Sequence, residues 1–192
     1  MKRLITVTFI LILISSFAFA QEGKMTLGVG AELALPSGDF GDFAGTGFGG
    51  TANFLYHMNE QMAISGTVGY ISWGGKSLDL GFLGKYEYSY SAIPVLAGGR
   101  YYFSTGDSRL YGSAEIGMYM FSFTVTVPSY EFYGVTFPGG ETTESSSEFV
   151  IAPGIGYEMK IGDNLYFDIT GKYIMISDAN NIGVRAGISF GL

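Results

Sequence analysis

The stretch MTLGVGAELAL, Met25–Leu35, alternates without a break. Met25, Leu27, Val29, Ala31, Leu33 and Leu35 share one parity, and Thr26, Gly28, Gly30 and Glu32 the other. Successive side chains of a strand point to opposite faces, so this segment has one apolar face and one small or polar face. The stretch Asn181–Leu192 repeats the pattern, with Ile182, Val184, Ala186, Ile188, Phe190 and Leu192 against Gly183, Arg185, Gly187 and Ser189.

Working outward from these two, the same period marks eight strands: Met25–Leu35, Thr46–His57, Met62–Trp73, Tyr88–Phe103, Leu110–Val127, Ser147–Lys160, Leu165–Ile176 and Asn181–Leu192. Most reach the ~9 to 11 residues that a tilted membrane-crossing strand requires. Short connections at 58–61, 104–109 and 161–164 alternate with 36–45, 74–87, 128–146 and the brief 177–180. Outer-membrane barrels have short periplasmic turns and longer outer loops. The expectation is an all-β, eight-stranded antiparallel up-and-down transmembrane β-barrel with both termini periplasmic. The Thr, Glu and Ser of residues 141–147 read as the solvated tip of the third outer loop.

A barrel of this size could also be a soluble, lipocalin-like periplasmic carrier, so the decision rests on which face carries the bulk. One parity is apolar on every strand, through Phe48, Ile64, Val95, Ile116, Ile155 and Ile169 among others, and no charged or amide side chain interrupts it. A charge there would cost ~2 to 4 kcal/mol at mid-bilayer, so the face reads as lipid-facing. Aromatic residues near strand ends suggest interfacial girdles: Tyr56, Tyr101, Phe103, Tyr157, Phe167 and Phe190 at one end, and Tyr70, Trp73, Tyr88, Tyr90 and Phe149 at the other.

Residues 1–20 read as a signal peptide, with Lys2 and Arg3, an apolar run from Leu4 to Ile14, and Ala18-Phe19-Ala20 as the cleavage site. That leaves residues 21–192 as one barrel domain. Loss of Lys2 and Arg3 takes the formal net charge from -7 to -9, which argues against nucleic acid as a partner. Cys is absent, which excludes disulfides and thiolate chemistry.

The inward parity carries Glu32, Glu115, Glu158 and Asp168 against Arg100, Lys160, Lys172 and Arg185. Acids and bases balance, so a structural charge network filling the lumen is expected in preference to an ion path. Glu32 and Arg185 should lie at similar depth where the first and last strands meet. Outer connections are acidic, with Asp39, Asp42, Asp79, Glu87, Glu131, Glu141, Glu144, Glu148 and Asp178 against Lys76 and Lys85. Such carboxylates read as a solvated surface, with a divalent-cation or basic-partner site as the alternative.

Nothing points to catalysis or to a cofactor. The one His, His57, falls at the end of the second strand beside a short turn, far from the outer rim, so no Ser-His pair or His-containing metal cluster can form there. The Gly-rich stretch from Gly41 to Gly50 has no following Lys and opens no helix pattern, unlike a phosphate loop.

The run Leu27-Gly28-Val29-Gly30-Ala31 leading to Pro36-Ser37-Gly38-Asp39-Phe40, the Ile93-Pro94-Val95 segment ending in Arg100-Tyr101-Tyr102-Phe103, and the last strand together resemble the outer-membrane β-barrel domain family. These are small OmpA/OmpX-like barrels of Gram-negative bacteria, often labelled porin-family proteins. The last strand also resembles the family's assembly signal at Arg185, Gly187, Phe190 and Leu192, departing from it by ending in Leu rather than Phe. The resemblance implies the barrel assembly machinery and periplasmic chaperones as transient partners, and outer-membrane lipid and lipopolysaccharide as surroundings. The expected function is a structural or surface-interaction role through the outer loops. A small porin-like channel for small or hydrophobic solutes is the alternative.

Overall fold

The alternating strands close on themselves. A computed structural model describes residues 25–75, 78–79, 85–127, 129–132, 135–177 and 179–192. The expected signal peptide, Lys76 and Asp178 lie outside the described residues. The long strands are β1 (Met25–Pro36), β2 (Ala44–His57), β3 (Met62–Gly75), β4 (Lys85–Tyr102), β5 (Ser108–Val127), β6 (Gly140–Lys160), β7 (Leu165–Ile174) and β8 (Asn181–Gly191). Each pairs antiparallel with its sequence neighbours, and β1 with β8 closes the cylinder through Thr26↔Gly191 to Pro36↔Asn181. No described helix is long and apolar enough to cross a membrane.

Turn chemistry fixes the short-turn end. The Asn59 side-chain oxygen accepts the N–H groups of Gln61 and Met62, folding the chain between β2 and β3. Gly106, between β4 and β5, has φ +107°, a backbone angle that a side chain disfavours. At the long-connection end a one-turn helix, α1 (Phe40–Phe43), joins β1 to β2, inside a segment whose sequence shows no helical period.

The outward parity is the apolar one on every strand up to the level of Met120 on β5, beyond which Ser122, Thr124 and Thr126 share it. Val29 is 58% exposed, Phe48 64%, Ile116 55% and Ile155 57%, while the inward Glu32, Glu115, Glu158 and Asp168 are buried. A soluble carrier would reverse this arrangement. From Leu110 to Met120 the β5 backbone rises about 33 Å at ~3.3 Å per residue. A tilt of roughly 40° reduces that to about 25 Å along the axis, the height of a barrel's apolar band.

Two parts depart from expectation. Trp73 and Tyr90 point inward, Trp73 with no exposed surface, although a girdle position was expected for both. Tyr88 shares the parity of Tyr90 and stacks on Phe123, so it also leaves the lipid face. The reason is parity: the lipid face of β3 is even-numbered and that of β4 odd-numbered, which places Trp73, Tyr88 and Tyr90 on the other side. Strand β6 begins at Gly140, seven residues before the expected Ser147, because residues 140–146 pair with Phe121–Val127 of β5. Their Ser and Thr side chains make a solvated strand rather than a loop tip. The β4–β5–β6 sheet therefore stands as a wall above the rest of the rim, topped by a short ribbon of Tyr130–Phe132 paired with Val135–Phe137.

Candidate functional site

The lumen is the place where the barrel gathers its chemistry. At the short-turn end, β6 supplies Glu158 and β7 supplies Asp168, which are directly paired in register. Arg109 hydrogen-bonds Glu158 through Nε at 3.1 Å and through a second, shorter contact, and its guanidinium lies 4.2 Å above the Tyr102 ring. The Tyr102 hydroxyl donates to Glu158 at 3.2 Å. His57 stacks on Tyr102 at 5.8 Å and reaches Thr26 at 3.3 Å.

Asp168 is the hub of the next layer. It accepts from Arg100 at 3.1 Å, Arg185 at 2.5 Å, the Tyr111 hydroxyl at 2.5 Å and Thr170 at 3.2 Å. Arg100 also lies 3.7 Å from Glu158 and stacks over Tyr111 at 4.4 Å. Arg185 extends across the seam to Thr51 at 2.9 Å and Asn53 at 2.6 Å. Glycines make this room: a Cβ on Gly30 or Gly187 would come within 2.9 Å of the Arg185 guanidinium, and one on Gly156 would overlap the Tyr111 ring. Above, Lys172 donates to Glu115 at 2.5 Å, which also accepts from Thr67 at 2.7 Å and Ser65 at 3.4 Å.

Burial makes the pairing matter. The side chains of Arg100, Asp168, Arg185, Lys172, Glu115 and Glu158 are all less than a tenth exposed. An ion so removed from water costs several kcal/mol unless its partners replace the lost hydration. Hydroxyl, amide and phenol groups supply the remaining bonds.

Of the eight residues expected in this network, the structure joins Arg100, Glu158, Asp168 and Arg185 in one group and Glu115 with Lys172 in another. Glu32 is buried and faces Arg185 in register, yet the guanidinium turns to Asp168, Thr51 and Asn53. Among the described residues its carboxylate has no hydrogen bond or ion pair. Lys160 is exposed at the mouth, one strand period beyond Glu158, where its long stem reaches water. Arg109 takes the place expected for Lys160, directly across from Glu158 in register. Arg109, Tyr111, Ser113 and Glu115 share one parity, and Tyr102 shares that of Arg100, so the signal for Arg109 and both tyrosines lay in the alternation.

The other half of the lumen is apolar. Phe40 folds inward from α1 and meets Trp73 edge-on at 5.9 Å and Tyr90 at 5.6 Å. Ile71, Leu96, Tyr119, Val150 and Ile174 pack around them. Gly47 clears the space for the indole, since a Cβ there would overlap its nitrogen. A charge network filling the lumen was expected; the long-connection half is instead a packed apolar core.

The last strand places Phe190 and Leu192 outward on the lipid face, Arg185 inward, and Gly187 against the backbone of Gly30. Among the described residues, no group of three His, Cys, Asp or Glu side chains converges to hold a metal ion.

No curated protein matches this sequence. Solved structures do. Neisserial surface protein A superposes with a TM-score of 0.58 at 15% identity, over 90% of this chain and 100% of that one. A major outer membrane protein from Thermus thermophilus gives 0.57 at 12% identity, over 88% and 99%. Ail, the attachment invasion locus protein of Yersinia pestis, gives 0.56 at 16% identity, over 90% and 100%. At these identities the likeness is one of fold. The sequence model of the outer membrane protein beta-barrel domain matches residues 5–190, nearly the whole chain. With its closed barrel and apolar outer belt, this outer-membrane protein belongs to the outer membrane protein beta-barrel domain family.

Proposed function

We propose that this protein is a non-enzymatic barrel whose lumen is closed by its own side chains and which acts at the cell surface through the wall and connections of its long-connection end. One observation carries the reading. Charged groups in one half of the lumen bond to each other, and the other half is filled by a core headed by Phe40 and Trp73. An ion crossing would have to break buried pairs and then pass an apolar section, and either barrier is severe.

The long-connection end faces outward in this reading, with both termini in the periplasm, as the usual loop asymmetry favours. Residues 1–20 act as the export signal and 21–192 as the mature barrel. Arg185, Gly187, Phe190 and Leu192 present the assembly signal to the barrel assembly machinery and its chaperones, and the apolar belt sits among outer-membrane lipid and lipopolysaccharide. Ail has been solved with a heparin analogue bound. The outer connections here are acidic, so a surface ligand of this protein should carry the opposite charge from that polyanion.

Planar-bilayer recording tests the closed lumen. The purified mature protein is expected to leave the membrane non-conducting; reproducible single channels would overturn the reading in favour of a small porin.

A further inference from the structure

Strand β6 has two neighbours along one part and one along the rest. Residues 154–159 pair with β5 and β7, whereas Gly140–Val150 pair only with β5 among the described residues. An isolated bridge marks the change: Ile151 and Met175 exchange N–H···O=C bonds of 3.2 and 2.9 Å. Odd-numbered residues of β6 therefore turn their backbone groups towards β7, and Pro153 in that series has no N–H to offer. By the same alternation, Glu141, Thr143, Ser145 and Ser147 turn theirs to an open edge. An open edge is a template for another strand.

The side chains decide what kind of strand fits. Even-numbered residues face the concave side of the wall, where Glu144 lies across from Phe123 and Phe123 across from Tyr90. The Tyr90 and Phe123 rings stack at 4.9 Å. Glu148 follows on the same face across from Tyr119, and Glu141 flanks the edge on the convex face. No Lys or Arg accompanies them at residues 88–96, 116–127 or 137–152. A second copy meeting this edge would set carboxylate against carboxylate, an arrangement that destabilises a strand pair.

We propose that the β6 edge takes up an extended cationic peptide segment as an additional strand. Two Lys or Arg side chains four positions apart meet Glu144 and Glu148, and their stems lie towards the aromatic face. Backbone bonds along the edge give affinity, and the carboxylates with the adjoining rings select the cation. This depends on the wall facing the cell exterior, as proposed above.

The test uses the mature barrel in lipid nanodiscs and a short synthetic peptide of alternating Thr and Val with two Lys four positions apart, titrated by calorimetry. The Lys peptide is expected to bind, and its Glu counterpart to show no binding. Glu144→Lys with Glu148→Lys should weaken it by about tenfold or more. Ser145→Pro removes an edge donor without touching the β5 ladder and should do the same. A peptide N-methylated on its pairing face keeps both charges, needs no change in the barrel, and should also lose about tenfold. Asp39→Lys with Asp42→Lys makes an equal charge change on the connection between β1 and β2 and should leave binding intact. No binding of the Lys peptide, full binding of the N-methylated one, equal loss with the Asp39 and Asp42 pair, or a sedimenting mass of two chains per disc would each overturn the proposal. Conductance by the same preparation would instead count against the closed lumen. Protease accessibility of the wall in whole cells reports its orientation separately.

Discussion

The two halves of the lumen are filled in opposite ways. Near the short turns Asp168 holds two guanidiniums, a phenol and a hydroxyl at once, so each bond depends on several strands keeping their register. Near the long connections Trp73, Phe40 and Ile71 touch through non-directional contacts. Loss of one member from the first half strands several buried charges, while loss from the second leaves a hole that neighbours can partly fill. A narrow barrel can thus combine a half that specifies register with a half that tolerates repacking.

Asp168→Ala should be the most damaging single change inside the barrel. It leaves Arg100 without its 3.1 Å partner and Arg185 without its 2.5 Å one, both with side chains less than a tenth exposed. Breaking a buried pair costs about 3 to 5 kcal/mol because the surviving charge remains uncompensated. Urea unfolding of the barrel in micelles should show that loss. A double variant with Arg185→Ala should cost less than the sum of the two single changes. Simple additivity would erase the difference between the halves.

Trp73→Ala comes next, at about 3 kcal/mol, the lower end of the range for removing a large buried ring. The reduction has a structural cause. Phe40 sits on a single helical turn between two strands and can settle into the space, a freedom that no residue of the charged half has. The same unfolding measurement checks it, and a loss greater than that of Asp168→Ala would reverse the order.

How much of this was legible beforehand depended on whether a property was local. The alternation from Met25 to Leu35 determines which side of each strand meets lipid, and the outer belt follows from it strand by strand. Trp73 and Tyr90 were misplaced because their chemistry suits an interface, yet the parity of their own strands sends them inward. Arg109 was hidden by its nearness to a turn, although it alternates correctly with Tyr111. Residues 140–146 have the composition of a loop, and only their pairing with β5 makes them a strand. Partners on strands that do not pair were not readable. Arg100 and Asp168 lie on strands that are not neighbours, and Arg185 reaches past β1 to Thr51 and Asn53 on β2, so these bonds depend on the stagger and diameter of the closed cylinder.

Glu32→Gln should have the smallest effect, and it sharpens the comparison because it tests whether charge as such matters or only charge with a partner. Glu32 lies within the lumen, 5% exposed, and its register neighbour Arg185 is committed elsewhere. Among the described residues the carboxylate accepts no hydrogen bond, so an amide of the same shape breaks none and removes a costly buried ion. Stability should change by less than about 1 kcal/mol, in the stabilising direction at neutral pH. Glu115→Gln is the matched control: the identical chemical change removes the negative charge that Lys172 is paired with at 2.5 Å and should cost clearly more. If both substitutions destabilise equally, Glu32 belongs to the network through the field of the lumen rather than through bonds. The boundary between the charged and the apolar half would then lie nearer the long connections than the hydrogen bonds place it.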